Sequence, residues 1–182
     1  MKVLNKLKKA VIPVLMIMLF LCGHASALEA TYTELNVPDI NSSFKAYMDY
    51  RTITNTKSPQ YKYISQWAWT DENGFLRVGG ERDLGIEDDY YVVALGSFYG
   101  TEIGTKYEIT TSTGNVFYAV LGDCKANIHT NSTNQYGAHN NIVEFLVDTR
   151  YLDRNVKRQG TANVYNPLNG SISSIRRIDF TE

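Results

Sequence analysis

Cysteine is nearly absent from this sequence: there are two among 182 residues, Cys22 and Cys124. Proline is scarce as well, four in all, and no Pro-, Gly- or Ser-rich stretch divides the chain, so nothing marks a linker between two domains. Neither sign of charge dominates, with 18 Lys+Arg against 19 Asp+Glu. That balance argues against the strongly basic surface that duplex nucleic acid demands. Long apolar runs are limited to one, Ala10 to Leu21, broken only by Pro13 and too short for a comfortable membrane span. No solenoid-type repeat recurs.

That single apolar run sits in a telling frame. Lys2, Lys6, Lys8 and Lys9 precede it and Ala25-Ser26-Ala27 follows, so residues 1–27 read as a secretory signal peptide with a small-residue cleavage pattern. Its removal takes four lysines and no acid, leaving a net charge of −5. It also takes Cys22, which strands Cys124 as the only thiol and excludes a disulfide within the remainder. Cys22 is a poor lipid-anchor candidate, because Leu21 stands where a small residue is expected. The expectation is a secreted, extracellular protein with no nucleic-acid partner and, after cleavage, no membrane partner. Its oligomeric state is left open.

Beyond the leader, period-two patterning dominates. Leu28 to Ile40 is polar and reads as a loose lead-in. Asn41 or Ser42 caps an expected short helix carrying Phe44, Tyr47 and Met48 at helical spacing. From Tyr61, alternation puts Tyr61, Tyr63, Ser65, Trp67 and Trp69 on one face of an extended aromatic segment. Asp71-Glu72-Asn73-Gly74 turns into a strand from Phe75 to Val78, and Gly79 to Asp89 forms a loop. Tyr90 to Leu95 is a near-continuous β-branched and aromatic run, hence a buried strand. Further strands follow at 103–111, 116–121, 142–147 and 172–180, with Thr113-Gly114-Asn115 as a hairpin turn and Asn127 to Asn141 as a long polar loop. Short, evenly spaced strands with little helix predict a small, mainly β barrel. The expected organisation is 1–27 leader, 28–60 lead-in with the short helix, and 61–182 barrel domain.

Two acids stand out against this pattern. Asp123 closes the strand that ends Tyr118-Ala119-Val120-Leu121-Gly122-Asp123, which puts a carboxylate at the barrel rim. Glu144 alternates with Ile142 and Leu146 on one strand face, an apolar setting that would raise its pKa as a general acid needs. The competing reading makes Asp123 a turn cap and Glu144 a hydrogen-bonded structural acid.

The stretch from Tyr91 to Asp148 resembles the double-psi β-barrel modules of bacterial cell-wall proteins. These are the three-aspartate domain of lytic transglycosylase A, the rare lipoprotein A-like barrels and the expansin-type barrels. Ile103-Gly104-Thr105 matches the turn that opens a strand in those modules, Gly114-Asn115 the hairpin, Asp123 the aspartate at the strand end, and Glu144 the later aspartate. The later acid is one methylene longer here, and Asp123 is followed by Cys124-Lys125 rather than Thr-Gly or Arg-Gly. Ala94-Leu95-Gly96-Ser97-Phe98-Tyr99-Gly100-Thr101, with Ile103-Gly104-Thr105, is also similar to a signature of uncharacterised secreted Firmicutes proteins.

The resemblance implies a six-stranded double-psi barrel preceded by the short helix and the aromatic segment. It also implies action on the glycan strands of peptidoglycan, or of another cell-surface glycan, as a lytic transglycosylase. In that chemistry Asp123 is acid and then base, and Glu144 stabilises the sugar; no cofactor is required. Two alternatives stay open: a non-catalytic glycan- or protein-binding module, and a surface scaffold.

Three smaller readings complete the set. Tyr61, Tyr63, Trp67 and Trp69 offer flat faces for sugar rings, or else pack as core. Cys124, His129 and His139 are competent ligand types, yet their spacing matches no established zinc pattern, so no metal site is expected. Lys106, Lys125, Arg176 and Arg177 read as solvated surface charge.

Overall fold

Strand-forming runs dominate residues 29–181, which a computed structural model describes; the leader 1–27, with Cys22, lies outside the described residues. In chain order the elements are β1 (Glu29–Leu35), β2 (Tyr47–Asp49), α1 (Pro59–Trp67), β3 (Trp69–Thr70), β4 (Leu76–Val78), β5 (Tyr90–Leu95), β6 (Lys106–Thr111), β7 (Val116–Cys124), β8 (Glu144–Val147), α2 (Arg154–Gln159) and β9 (Ile172–Thr181). The expectation of a mainly β protein holds.

β5 is the axis of the architecture because all six of its side chains are apolar enough to bury. Tyr91, Val93 and Leu95 enter one cluster, and Tyr90, Val92 and Ala94 enter a second on the opposite face. On the first face the rings of Phe75, Tyr91, Phe117 and Phe145 meet at centroid distances of 5.5 to 5.9 Å, four of these five contacts edge-on. Such pairs add about 0.5–1.5 kcal/mol each beyond simple burial.

One edge of β5 pairs parallel with β7, and the sheet continues through the β6–β7 hairpin to β9 and β1. The hairpin turns at Gly114, whose φ of 86° suits a residue without a side chain. The other edge of β5 is divided. Its first residues, Tyr90 and Tyr91, pair with β4, while Val93 and Ala94 pair with β8, which in turn carries β2 in parallel. Among the described residues the result is one open mixed sheet of nine strands, in place of the expected closed barrel of six. The divided edge sends the sheet into two short branches, ending at β3 and at β2, and neither of them pairs with β1.

Three local expectations need correction. The lead-in supplies an edge strand: β1 lies beside β9, with Ser174 donating to Glu34 at 2.8 Å, and Ala30–Thr181 pack as one unit. The short helix at Asn41 or Ser42 does not form, because its backbone and side chains are engaged by distant partners. The Ile172 N–H donates to the Ser42 hydroxyl, the Phe145 N–H to the Ala46 carbonyl, and Tyr47, Met48 and Asp49 form β2. Lys45 is fully buried there, its ammonium donating to the carbonyls of Gly170 and Ser43 and to the Asn163 side chain; burial pushes its pKa down to about 8.

The extended aromatic segment is instead the helix α1. The Ser58 hydroxyl accepts from the Tyr61 N–H and Pro59 opens the first turn, both strong start signals, and Ile64 is the buried residue of the helix. Capping outweighed a period-two pattern that was coincidental.

Candidate functional site

The site grows out of an irregularity where β5 meets β7. Val93 pairs with Leu121, but the next pair is Ala94 with Asp123, so Gly122 is an extra residue in β7. Such a bulge re-aims the side chain that follows it. By plain alternation Asp123 would share the face of Ala119 and Leu121, inside the aromatic cluster. The extra residue turns it to the opposite face, that of Ala94, and sends Cys124 to the face of Leu95 instead. Only glycine fits: a Cβ at position 122 would stand 2.2 Å from Val92 Cγ1.

Glu144 reaches the same place from the other side. It opens β8 and pairs with Ala94 across the antiparallel ladder. Ala94 therefore has Asp123 on one flank and Glu144 on the other, roughly two strand spacings (~10 Å) apart at the backbone. The small side chain of Ala94 leaves a groove of about 530 Å³ above it, with Met48, Lys125, His139 and Asn141 in its walls. The sequence reading of Ile142 on the Glu144 face does not hold. Alternation starts only at Glu144, and Ile142 and Val143 both enter the aromatic cluster.

Each acid is held. Asp123 Oδ1 accepts from Gln60 Nε2 of α1 at 3.2 Å and from its neighbour's backbone N–H at 2.9 Å. Glu144 Oε2 accepts from Lys125 Nζ at 3.0 Å. Lys125 is thus a near-buried partner with 7% of its side chain exposed, and burial lowers its pKa; it is no solvated surface charge. Glu144 is one quarter exposed and ion-paired, so it lacks the apolar enclosure expected of it. Lys106 is likewise withdrawn, paired with Glu81. Arg176 and Arg177, more exposed, pair with Glu108 and Asp179.

The wall of the groove is anchored at the far end of β2 and β8. Arg51 and Thr149 bind the Asp49 carboxylate, and Arg150 grips Asp148 with contacts of 2.6 and 2.9 Å. Donors from Arg51 and Thr149 hold Asp49 well below the usual carboxylate range, and Arg150 does the same for Asp148.

The remaining candidates separate. Cys124 turns its thiol toward the Gly100 and Thr101 carbonyls at 3.7 and 3.8 Å, and burial, helped by the charge of Asp123, pushes its pKa up. That suits a packed thiol and opposes a nucleophile. His129 and His139 line the groove from the polar loop, His139 against the ring of Phe44 at 5.2 Å. Among the described residues, no three His, Cys, Asp or Glu side chains gather as a metal site. The four aromatics do not form one face. Tyr61 lines a separate hollow with Tyr50, Ile53 and Ile64, while Tyr63, Trp67 and Trp69 line another.

Sequence reasoning missed Gln60, Lys125 and Ala94 as parts of the site. No family model, curated protein or solved structure matches this chain.

Proposed function

We propose that this is an extracellular protein acting on the glycan strands of peptidoglycan, with Asp123 and Glu144 as the working pair. The observation that carries the reading is the placement of both acids on the two flanks of Ala94, facing one open groove. In the proposed reaction Asp123 acts first as the acid, giving a proton to the leaving glycosidic oxygen as the bond from the anomeric carbon breaks. The primary hydroxyl of the same sugar then attacks that carbon and returns its proton to Asp123, closing an anhydro ring. Glu144, steadied by Lys125, faces the positive charge that builds at the anomeric carbon. One proton-transferring acid is enough because the nucleophile belongs to the substrate, unlike hydrolases that need two carboxylates for a water or a covalent step.

The double-psi relationship belongs to the same proposal. Two parallel pairs, β5–β7 and β2–β8, support it, and the open strand path is its main departure. A second reading, glycan binding without cleavage, is favoured by the fact that Asp123 Oδ1 and Glu144 Oε2 already have donors.

Clearing of purified sacculi separates the two. The reading expects turbidity to fall with the wild-type protein and to stay level with Asp123→Asn, a variant that keeps the Oδ1 acceptor and so the local geometry. Equal clearing by both removes Asp123 from the chemistry. Binding to sacculi without any clearing selects the second reading.

A further inference from the structure

The chain contains two tryptophans, Trp67 and Trp69, and both stand at one groove on the far side of α1 from Tyr61. Their exposures, 55% and 45%, are large for the residue type with the most apolar surface to hide. Tyr63 lies one helical turn before Trp67 and so shares its side of α1. Its ring lies over Gly104, where a Cβ would come within 3.1 Å and where φ is 98°, so the glycine lets the ring settle into the turn. The resulting groove measures about 550 Å³, and the paired side chains of Glu81 and Lys106 line it too. A shallower depression of about 380 Å³ shares Gly104 and Lys106 with it and runs on past Glu102, Thr105 and Asp179.

We propose that this groove is a second carbohydrate site, built to take an uncharged glycan chain. Indoles that line one groove and stay half-open to solvent suit the apolar faces of pyranose rings. The Glu81–Lys106 pair supplies an acceptor and a donor already fixed in position, the sparse polar complement that orients a ligand in an otherwise apolar site. Charge selects against polyanions: Glu81 and Lys106 neutralise each other, Arg177 neutralises Asp179, and the lining charge that remains is the carboxylate of Glu102. Neutral hexose or N-acetylhexosamine chains meet no such repulsion. The site uses side chains separate from Asp123 and Glu144 and does not rest on cleavage there.

Because there are no other tryptophans, indole emission reports on this groove alone. Titration with neutral β-linked N-acetylglucosamine and glucose oligomers, and with polygalacturonate of similar length, tests the proposal. The expected result is a saturable emission change with at least one neutral series and none with the anionic one. Calorimetry should show affinity falling about tenfold for Trp67→Ala and for Trp69→Ala, with Asp123→Asn unchanged. Exposed side chains make both tryptophan variants safe for folding, and circular dichroism checks it. No saturable response to either neutral series, an equal response to polygalacturonate, or undiminished affinity in both tryptophan variants overturns it. Loss of sacculus clearing in Asp123→Asn with the emission response intact would show the two sites to be separate.

Discussion

The acid groove and the aromatic groove are served by opposite ends of one helix, yet they are built in opposite ways. Gln60 in the first turn of α1 holds Asp123, and Trp67 in its last turn walls the aromatic groove, about 10 Å further along the axis. The acid groove depends on long-range register: one extra residue in β7 and a ladder between strands fifty residues apart bring its two carboxylates to Ala94. Its polar groups are committed to partners inside the protein. The aromatic groove takes Tyr63 and Trp67 from α1 by a local cap and helical spacing, with Trp69 from β3 and Lys106 from β6 beside them, and its indoles remain open to solvent. A site assembled by register should fail as a unit when the sheet is disturbed. A site whose Tyr63 and Trp67 stand on a helix, away from β2 and β8, should survive that disturbance and respond to changes in the helix.

Acidification is expected to disturb the two grooves most unequally. Asp49 and Asp148 have folded-state pKa values below their ordinary ones, so the stability they contribute is fully present above the ordinary carboxylate value near 3.8 and is lost as pH falls below it. Both networks tie the ends of β2 and β8. Hydrogen exchange at the Phe145 amide, which donates to Ala46 across the β2–β8 pair, should therefore quicken below that pH while tryptophan emission is still native. Simultaneous change of both signals would contradict the division.

A smaller loss is expected from Gly122→Ala. The added methyl meets Val92 Cγ1 where β5 and β7 are buried on both faces, and overpacking of this kind costs about 1–3 kcal/mol. Sacculus clearing should disappear with it, and neutral-oligomer binding should persist. Retained clearing would mean that the bulge does not orient Asp123.

Ser58→Ala should have the mildest effect, about 1 kcal/mol for a lost cap measured by denaturant unfolding. Because α1 reaches both grooves, this variant should weaken oligomer binding and clearing together, whereas Gly122→Ala separates them. A stability unchanged within a few tenths of a kcal/mol would show that Ser58 does not hold the helix.

The contrast also explains which parts of the molecule were legible in the sequence. β5, the hairpin at Gly114 and the closing strand follow from alternation and turn chemistry, and they form as expected. α1 was hidden because Tyr61, Tyr63, Trp67 and Trp69 alternate as well as any strand, while the Ser58-Pro59 start signal carried the true information. β2 is three residues long and exists only because β8, nearly a hundred residues later, offers it a parallel edge; no local pattern encodes that. At the site, the two acids could be singled out by residue type and strand position. Their convergence could not, because it turns on Gly122, which alternation treats as an ordinary strand residue. The commitment of Lys125 to Glu144 was equally silent, since a lysine beside a strand end is ordinarily solvated.

Mass spectrometry of the soluble material released from purified sacculi tests the proposed chemistry most directly. Transfer of the glycosidic bond to the sugar's own hydroxyl predicts fragments ending in an anhydro sugar, one water lighter than hydrolysis products, from the wild-type protein and none from Asp123→Asn. Release of ordinary reducing ends, or of no glycan fragments at all, would contradict it.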